Sequence, residues 1–147
     1  DEKEFLKEVK NIRAALNNDR AVLRAYHFFN ESRRACEETE ALRRGDFDEF
    51  LKLIKLSGRS SYMYLQNVFA ASMPTQQAVS FTLAMCDEIL GDRGAYRVHG
   101  GGFAGTVQAF VPNDMLDEFK SRFESILGEG MCHVLSIRPI GGCCITD

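Results

Sequence analysis

Apolar residues near the start of the chain recur every three or four positions, the spacing that places them on one face of an α-helix. Phe5, Val9, Ile12 and Leu16 form the first stripe of this kind. The polar run Asn17-Asn18-Asp19 then interrupts the pattern. We therefore predict a first helix that ends near Leu16 and a break before the next one.

Two longer helical segments follow the break. The first runs from about residue 20 to residue 43, and Gly45 stops it because glycine favours the turn that closes a helix. The second begins at Asp46, since an acidic residue with Glu49 three positions later is typical of a helix N-terminus. Ser57-Gly58 is predicted to end this helix.

The middle of the chain is less regular. Residues 59–71 are rich in aromatic side chains, and Tyr62, Tyr64 and Phe69 suit either a short core helix or an interface. Ser72-Met73-Pro74 is predicted to begin another helix, with Ser72 as the N-cap, because proline is tolerated in a first helical turn. Gly91 is expected to end it.

The second half of the chain has the shorter alternation of β-strands. We predict a hairpin over 95–111, a helix from Pro112-Asn113-Asp114 to Leu127, a strand over 132–138, a turn at Gly141-Gly142 and a last strand at Cys143-Cys144-Ile145. Helices followed by a small antiparallel sheet indicate an α+β fold. The length of 147 residues suits one domain, so we assign residues 1–147 to it.

A glycine-rich turn separates the two strands of the predicted hairpin. Gly100, Gly102 and Gly105 satisfy the letters of the dinucleotide-binding pattern G-x-G-x-x-G. That pattern requires a helix after the glycines, because the helix N-terminus holds the pyrophosphate. Here the segment from Thr106 to Val111 is predicted to be a strand. The loop is therefore interpreted as bare backbone that can approach a ligand or a second loop closely.

Composition excludes several classes of partner. The net charge is −3 and the sequence pI is about 5.7, which argues against broad electrostatic binding to nucleic acid or anionic lipid. No apolar run approaches the roughly 20 residues of a membrane helix, and no signal peptide is visible. The chain opens without methionine, which favours a piece of a longer protein.

The cysteines indicate a reducing compartment. They number five and contain no C-x-x-C pair, so we expect neither a disulfide framework nor a zinc site. We expect a cytoplasmic location instead. The adjacent pair Cys143-Cys144 is interpreted as small residues of the last strand, with a redox or metal role as the alternative.

No complete active site is evident from the residue types. Catalysis needs a nucleophile or base beside a partner group, and no such pair can be assigned, so we predict no catalytic and no metal-binding residue. His27 and His133 are interpreted as structural, and the charged pairs Arg33-Arg34 and Glu37-Glu38 as solvated helix surface. His99 is the one histidine placed beside the glycine loop.

The glycine loop and several other segments resemble one family. The chain is similar to the C-terminal domain of galactokinases, in the GHMP small-molecule kinase family, whose third motif reads approximately [TS]-G-[GA]-G-F-G-G-[CS] before a strand. Residues 41–50 resemble the family's A-L-x-x-G-D-x-x-x-F segment, and 72–74 a serine–x–proline helix start. Residues 24–33 and 135–142 resemble its long helix and its closing strand and turn. The loop residues that carry the match, and our candidate site near substrate and nucleotide, are His99, Gly100, Gly101, Gly102, Phe103, Ala104, Gly105 and Thr106.

The resemblance implies a ferredoxin-like α+β domain, in which a small antiparallel sheet packs with helices and additional helices precede it. It also implies a sugar kinase that transfers the γ-phosphoryl group of ATP, with Mg²⁺, to the anomeric hydroxyl of galactose. In that family the ATP phosphate loop and the catalytic aspartate and arginine lie in an N-terminal domain, which would be the partner of this chain. We therefore expect this chain alone to be inactive and to hold no cofactor. Three positions depart from the motif, namely His99, Ala104 and Thr106, which extends the expected substrates to a related sugar or small alcohol.

The alternative hypothesis is a stand-alone, non-catalytic binding module of the same fold. Its glycine loop would then join two strands and present backbone to a ligand or to another protein.

Overall fold

The computed structural model describes residues 1–103, 105–137, 139–141 and 143–144. The predicted α+β class is confirmed, because four helices come first along the chain, an antiparallel hairpin follows them and a fifth helix comes last among the elements of the described residues. The helices are α1 (Glu2–Leu16), α2 (Asp19–Arg43), α3 (Phe47–Ser60), α4 (Ala78–Leu90) and α5 (Leu116–Leu127), and the strands are β1 (Ala95–Val98) and β2 (Val107–Phe110). Among the described residues, no helix combines the length and the apolar character needed to cross a membrane.

The predicted boundaries of the first helices are confirmed, and local capping explains them. Asn17 adopts a left-handed conformation after α1, and the Asn18 side chain accepts a hydrogen bond from the Ala21 amide at 3.1 Å to begin α2. Gly45 follows α2 with φ of +70°. Asp46 then accepts a hydrogen bond from the Glu49 amide at 3.1 Å at the start of α3.

The prediction that Ser57-Gly58 ends the third helix is wrong. Helix α3 continues to Ser60, and a π-helical turn, Ser61–Leu65, extends it. Gly58 lies inside the helix where β1 crosses closely, since a Cβ atom there would lie 3.0 Å from the Tyr96 carbonyl oxygen. The glycine therefore serves close helix–strand packing rather than helix termination.

The predicted start of the fourth helix at Ser72 is also wrong, since α4 begins at Ala78 after Gln77. Two consecutive turns occupy the intervening segment, closed by hydrogen bonds from Met73 to Ala70 and from Gln76 to Met73. The ring of Pro74 fixes a backbone angle that suits a turn as well as a first helical turn, so the local pattern does not distinguish them.

The core lies between α4, α5 and the hairpin. One buried cluster consists of Cys86, Ile89, Leu90, Phe119 and Phe123. A second and smaller cluster joins Val68, from the segment after the π-helical turn, to Val79 and Val98. Val98 is the last residue of β1, so this second cluster fixes the residues around Val68 against the strand that leads into the glycine loop.

The predicted strand over 132–138 is wrong for its described part, because residues 132–137 form no strand and Arg138 lies outside the described residues. Leu135 and Ile137 are 86% and 90% exposed, so the alternating face has no core to cover. Cys143 and Cys144 form no strand either. Gly142 of the predicted turn and Ile145 lie outside the described residues.

Candidate functional site

The glycine loop is the tip of the β1–β2 hairpin. The strands pair antiparallel, with Val98 opposite Val107, and the His99 amide donates to the Thr106 carbonyl at 3.1 Å. This bond extends the strand ladder by one step and fixes the base of the loop. The context is strand–loop–strand, as predicted, so the helix that a dinucleotide site requires does not follow the glycines.

Most of the loop tip is in left-handed backbone conformations. Gly100, Gly102 and Gly105 have φ of +65°, +74° and +86°, and Phe103 has φ of +56°. A positive φ is costly for residues that carry a Cβ atom, so it accounts for glycine at three of these positions and makes Phe103 a strained residue. Ala104, a position of our candidate site, lies outside the described residues.

A buried asparagine outside the loop holds its tip. Asn67 is 3% exposed. Its side-chain Nδ2 donates to the Gly101 carbonyl at 3.1 Å, and its main-chain carbonyl accepts from the Phe103 amide at 3.0 Å. Between these two bonds, a Cβ atom on Gly102 would lie 2.7 Å from Asn67 Cγ and closer still to the Asn67 carbonyl oxygen. Only glycine therefore fits position 102.

The rest of the loop is open. Apart from adjacent residues, a Cβ atom at Gly100, Gly101 or Gly105 would have no neighbour within 4 Å in the described part of the chain. His99 and Thr106 are exposed, and the Phe103 side chain is 53% exposed. The loop thus has one face pressed against Asn67 and another face of accessible backbone, which suits the close approach of a ligand or a second loop.

Behind β1, a polar cluster links the hairpin to α2 and α3. The Ser57 hydroxyl donates to Glu31 Oε2 at 2.6 Å and accepts from Arg97 Nη1 at 2.9 Å. Arg34 forms an ion pair with Glu31. Its side chain is only 11% exposed, so the interpretation of Arg34 as solvated surface is wrong. Helix α2 packs against α3 and the π-helical turn. The ion pair with Glu31 offsets the cost of burying the Arg34 charge.

Two further groups of this region have shifted pKa values. Burial, with a smaller contribution from the Arg34 charge, lowers the pKa of His27, whose Nδ1 lies 3.0 Å from the Ser60 hydroxyl. Burial also raises the pKa of the Glu38 carboxyl, against the opposing charges of Arg97 and Arg34. His27 is therefore half-buried and hydrogen-bonded within the helices, which agrees with the packing role that the sequence suggested.

Asn67 was not among the residues predicted from the sequence. It is a polar residue between Gln66 and Val68, and its side chain contacts a residue 34 positions further along the chain. No motif marks it. The signal that was available is indirect, since a glycine-rich loop with bare backbone needs a supporting residue from another segment.

The chain is similar to galactokinases over about two thirds of its length. It is 28% identical over 100 residues to the galactokinase of Haemophilus influenzae (strain ATCC 51907 / DSM 11121 / KW20 / Rd), covering 68% of this chain and 24% of that protein. It is 29% identical over 103 residues to the galactokinase of Glaesserella parasuis serovar 5, covering 70% of this chain and 25% of that protein.

These matches extend over about a quarter of the curated relatives' length, so this chain corresponds to part of a larger protein in each comparison. No protein-family model matches the chain. No solved structure matches it either. The comparisons therefore support a galactokinase-like relationship, and they do so through sequence similarity alone.

Proposed function

We propose that this chain is the C-terminal part of a galactokinase-like sugar kinase. The complete enzyme would transfer the γ-phosphoryl group of ATP to the anomeric hydroxyl of galactose or a related sugar. The observation that carries the proposal is the similarity to galactokinases over about 100 residues. The location proposed for this part, at the C-terminal end, follows from the resemblance of residues 99–106 to the third family motif.

The geometry of the loop is compatible with a site facing a second domain. Its backbone at Gly100, Gly101 and Gly105 is open on one side, and its tip is held by Asn67 on the other. Phosphoryl transfer depends mostly on positioning and on electrostatic stabilisation. A fixed loop with accessible main-chain amides can contribute to both when a phosphate or a sugar hydroxyl lies against it.

The metal and nucleotide functions are assigned to the part of the enzyme outside this chain. Within the described ranges, no group of three or more histidine, cysteine, aspartate or glutamate side chains is arranged to hold a metal ion. The described residues therefore do not fit a Mg²⁺ site of their own. The role proposed for this chain is to position the substrate by closing the cleft.

The test uses the complete reading frame in which this chain is encoded. We expect the purified full-length protein to phosphorylate galactose or a related sugar with ATP, measured by ADP release across a panel of monosaccharides. The 147-residue chain alone should give no turnover in the same assay. Turnover by the isolated chain, or a reading frame without a kinase domain together with tight sugar binding by this chain, would replace the proposal with the binding-module hypothesis.

A variant pair links the activity to the loop. In the full-length protein we expect Gly102→Val to lower kcat by about ten-fold or more, because the side chain displaces the loop from Asn67. Gly45→Val is the matched control, since Gly45 also has a positive φ but lies between α2 and α3, outside the loop. Wild-type kcat for Gly102→Val would show that the loop does not contribute to the reaction.

A further inference from the structure

We propose that Asn67 is a positioning residue that fixes the glycine loop for phosphoryl transfer. The inference rests on the proposed function, and it concerns a residue outside the loop motif. Asn67 itself contacts backbone, not a reacting group, so its effect would be exerted through the loop.

Asn67 forms hydrogen bonds to the loop residues on both sides of Gly102. The side chain donates to the carbonyl of Gly101, and the main chain accepts from the amide of Phe103. Gly102, between them, lies directly against Asn67. One residue therefore determines the position of three consecutive loop residues, two of which have positive φ.

Asn67 is in turn fixed to the strand that carries the loop. Its neighbour Val68 is 1% exposed and packs with Val98, the last residue of β1. On the other side, Gln66 is in a left-handed conformation with φ of +53° that turns the chain out of the π-helical turn. Residues 67 and 68 therefore connect the loop tip, through Asn67, to the strand at the base of the loop, through Val68 and Val98.

The chemistry at Asn67 gives a specific test. The Asn67 Oδ1 atom is buried and has no hydrogen-bond partner among the described residues, so the side chain acts on the loop as a donor. In Asn67→Asp the shape is kept, but an ionised carboxylate places an acceptor against the Gly101 carbonyl. Burial raises the pKa of such a carboxyl above its usual value of about 3.9. When it is protonated, its O–H can donate to Gly101 again.

The first measurement follows the loop without requiring activity. In the 147-residue chain, chymotrypsin cleavage after the exposed Phe103 is followed by mass spectrometry at about pH 8. We expect Asn67→Asp to be cleaved at least about five-fold faster than wild type, because losing a hydrogen bond of ordinary strength raises the population of the open loop by about that factor. The matched control is Gln66→Glu, which makes the same change from amide to acid at the adjacent, exposed position, and it should cleave as wild type does.

The second measurement follows catalysis in the full-length protein. We expect Asn67→Asp to lower kcat about ten-fold or more at about pH 8, with KM for ATP changed much less. The ratio of mutant to wild-type kcat should then rise as the pH is lowered to about 6, because the new carboxyl becomes a donor. Because protonation would also restore folding, kcat is expressed per folded enzyme, with the folded fraction at each pH measured by thermal unfolding. A merely structural residue would then leave kcat per folded enzyme at the wild-type value at both pH values.

The outcomes distinguish the two proposals. Wild-type cleavage and wild-type kcat in Asn67→Asp would overturn the inference while the kinase function stands. Faster cleavage with unchanged kcat in an active enzyme would also overturn it, since Asn67 would hold the loop without affecting transfer. A full-length wild-type protein that phosphorylates no sugar would refute the proposed function and the positioning role together, even if cleavage showed that Asn67 holds the loop.

Discussion

The three consecutive glycines of the loop differ in what the structure requires of them, which gives a graded prediction. Gly101 does not have a positive φ and has open space at its Cβ position. Gly100 has φ of +65° with the same open space, whereas Gly102 has φ of +74° and lies against Asn67. Alanine at the three positions therefore separates the cost of backbone conformation from the cost of collision.

The magnitudes follow from these differences. Gly101→Ala meets neither cost and should change the free energy of unfolding little. Gly100→Ala should lower it by about 1–2 kcal/mol, the cost of a left-handed conformation with a Cβ atom. Gly102→Ala has the same cost and also displaces the loop from Asn67, losing two hydrogen bonds of about 0.5–1.5 kcal/mol each. Its total should therefore be about 2–5 kcal/mol.

Urea unfolding of the 147-residue chain and its three variants measures these values, with the slope m as a check that unfolding stays two-state. The double variant Gly102→Ala/Asn67→Ala should not recover stability, because the added Cβ also meets the main-chain carbonyl of residue 67. Equal losses for Gly100→Ala and Gly102→Ala would refute the reasoning, since contact with Asn67 would then contribute nothing to the difference.

Three further predictions concern the helices behind the hairpin. The pKa of His27 is lowered in the folded chain, so the unfolded state binds more protons than the folded state does. The free energy of unfolding should therefore fall as the pH drops through about 6.5. Urea titrations at several pH values measure this dependence, and His27→Gln should make it less steep. Ser57→Ala should cost about 1–3 kcal/mol by the same method, because Glu31 and Arg97 each lose a partner, and an unchanged midpoint would argue against the network. Gly58→Leu should lower the free energy of unfolding by about 1–3 kcal/mol through overpacking against β1, whereas Gly58→Ala should cost less; similar midpoints for the two would contradict the close packing.

The elements that were predicted correctly depend on local signals. The stripe from Phe5 to Leu16, the capping residue Asp46 and the glycine hairpin each specify their structure through neighbours within a few positions. The errors occur where a distant element decides. Gly58 remains helical because β1 packs against it, and the alternating residues 132–137 form no strand because alternation does not supply a pairing partner.

In the candidate site too, features set by local sequence were predicted and features set by distant contacts were not. The loop was found from its glycines, but nothing in the local sequence indicated which glycine has no room for a side chain or that Asn67 supports it. The burial of Arg34 was missed because it depends on packing between elements; its partner Glu31, three positions earlier on the same helix, does not by itself indicate that the pair is covered. Whether His99 contacts a substrate stays a prediction.

The uneven support of the loop has a consequence for how its sequence can be varied. A side chain added at position 100, 101 or 105 would extend into open space. Of these three positions, 100 and 105 also need a residue that tolerates a positive φ. Asparagine and aspartate adopt that conformation more readily than other residues that carry a side chain. A library with these residues at 100 and 105 and any residue at 101 should therefore keep the fold while changing the surface offered to a ligand. Selection from a library randomised at 102 should return glycine.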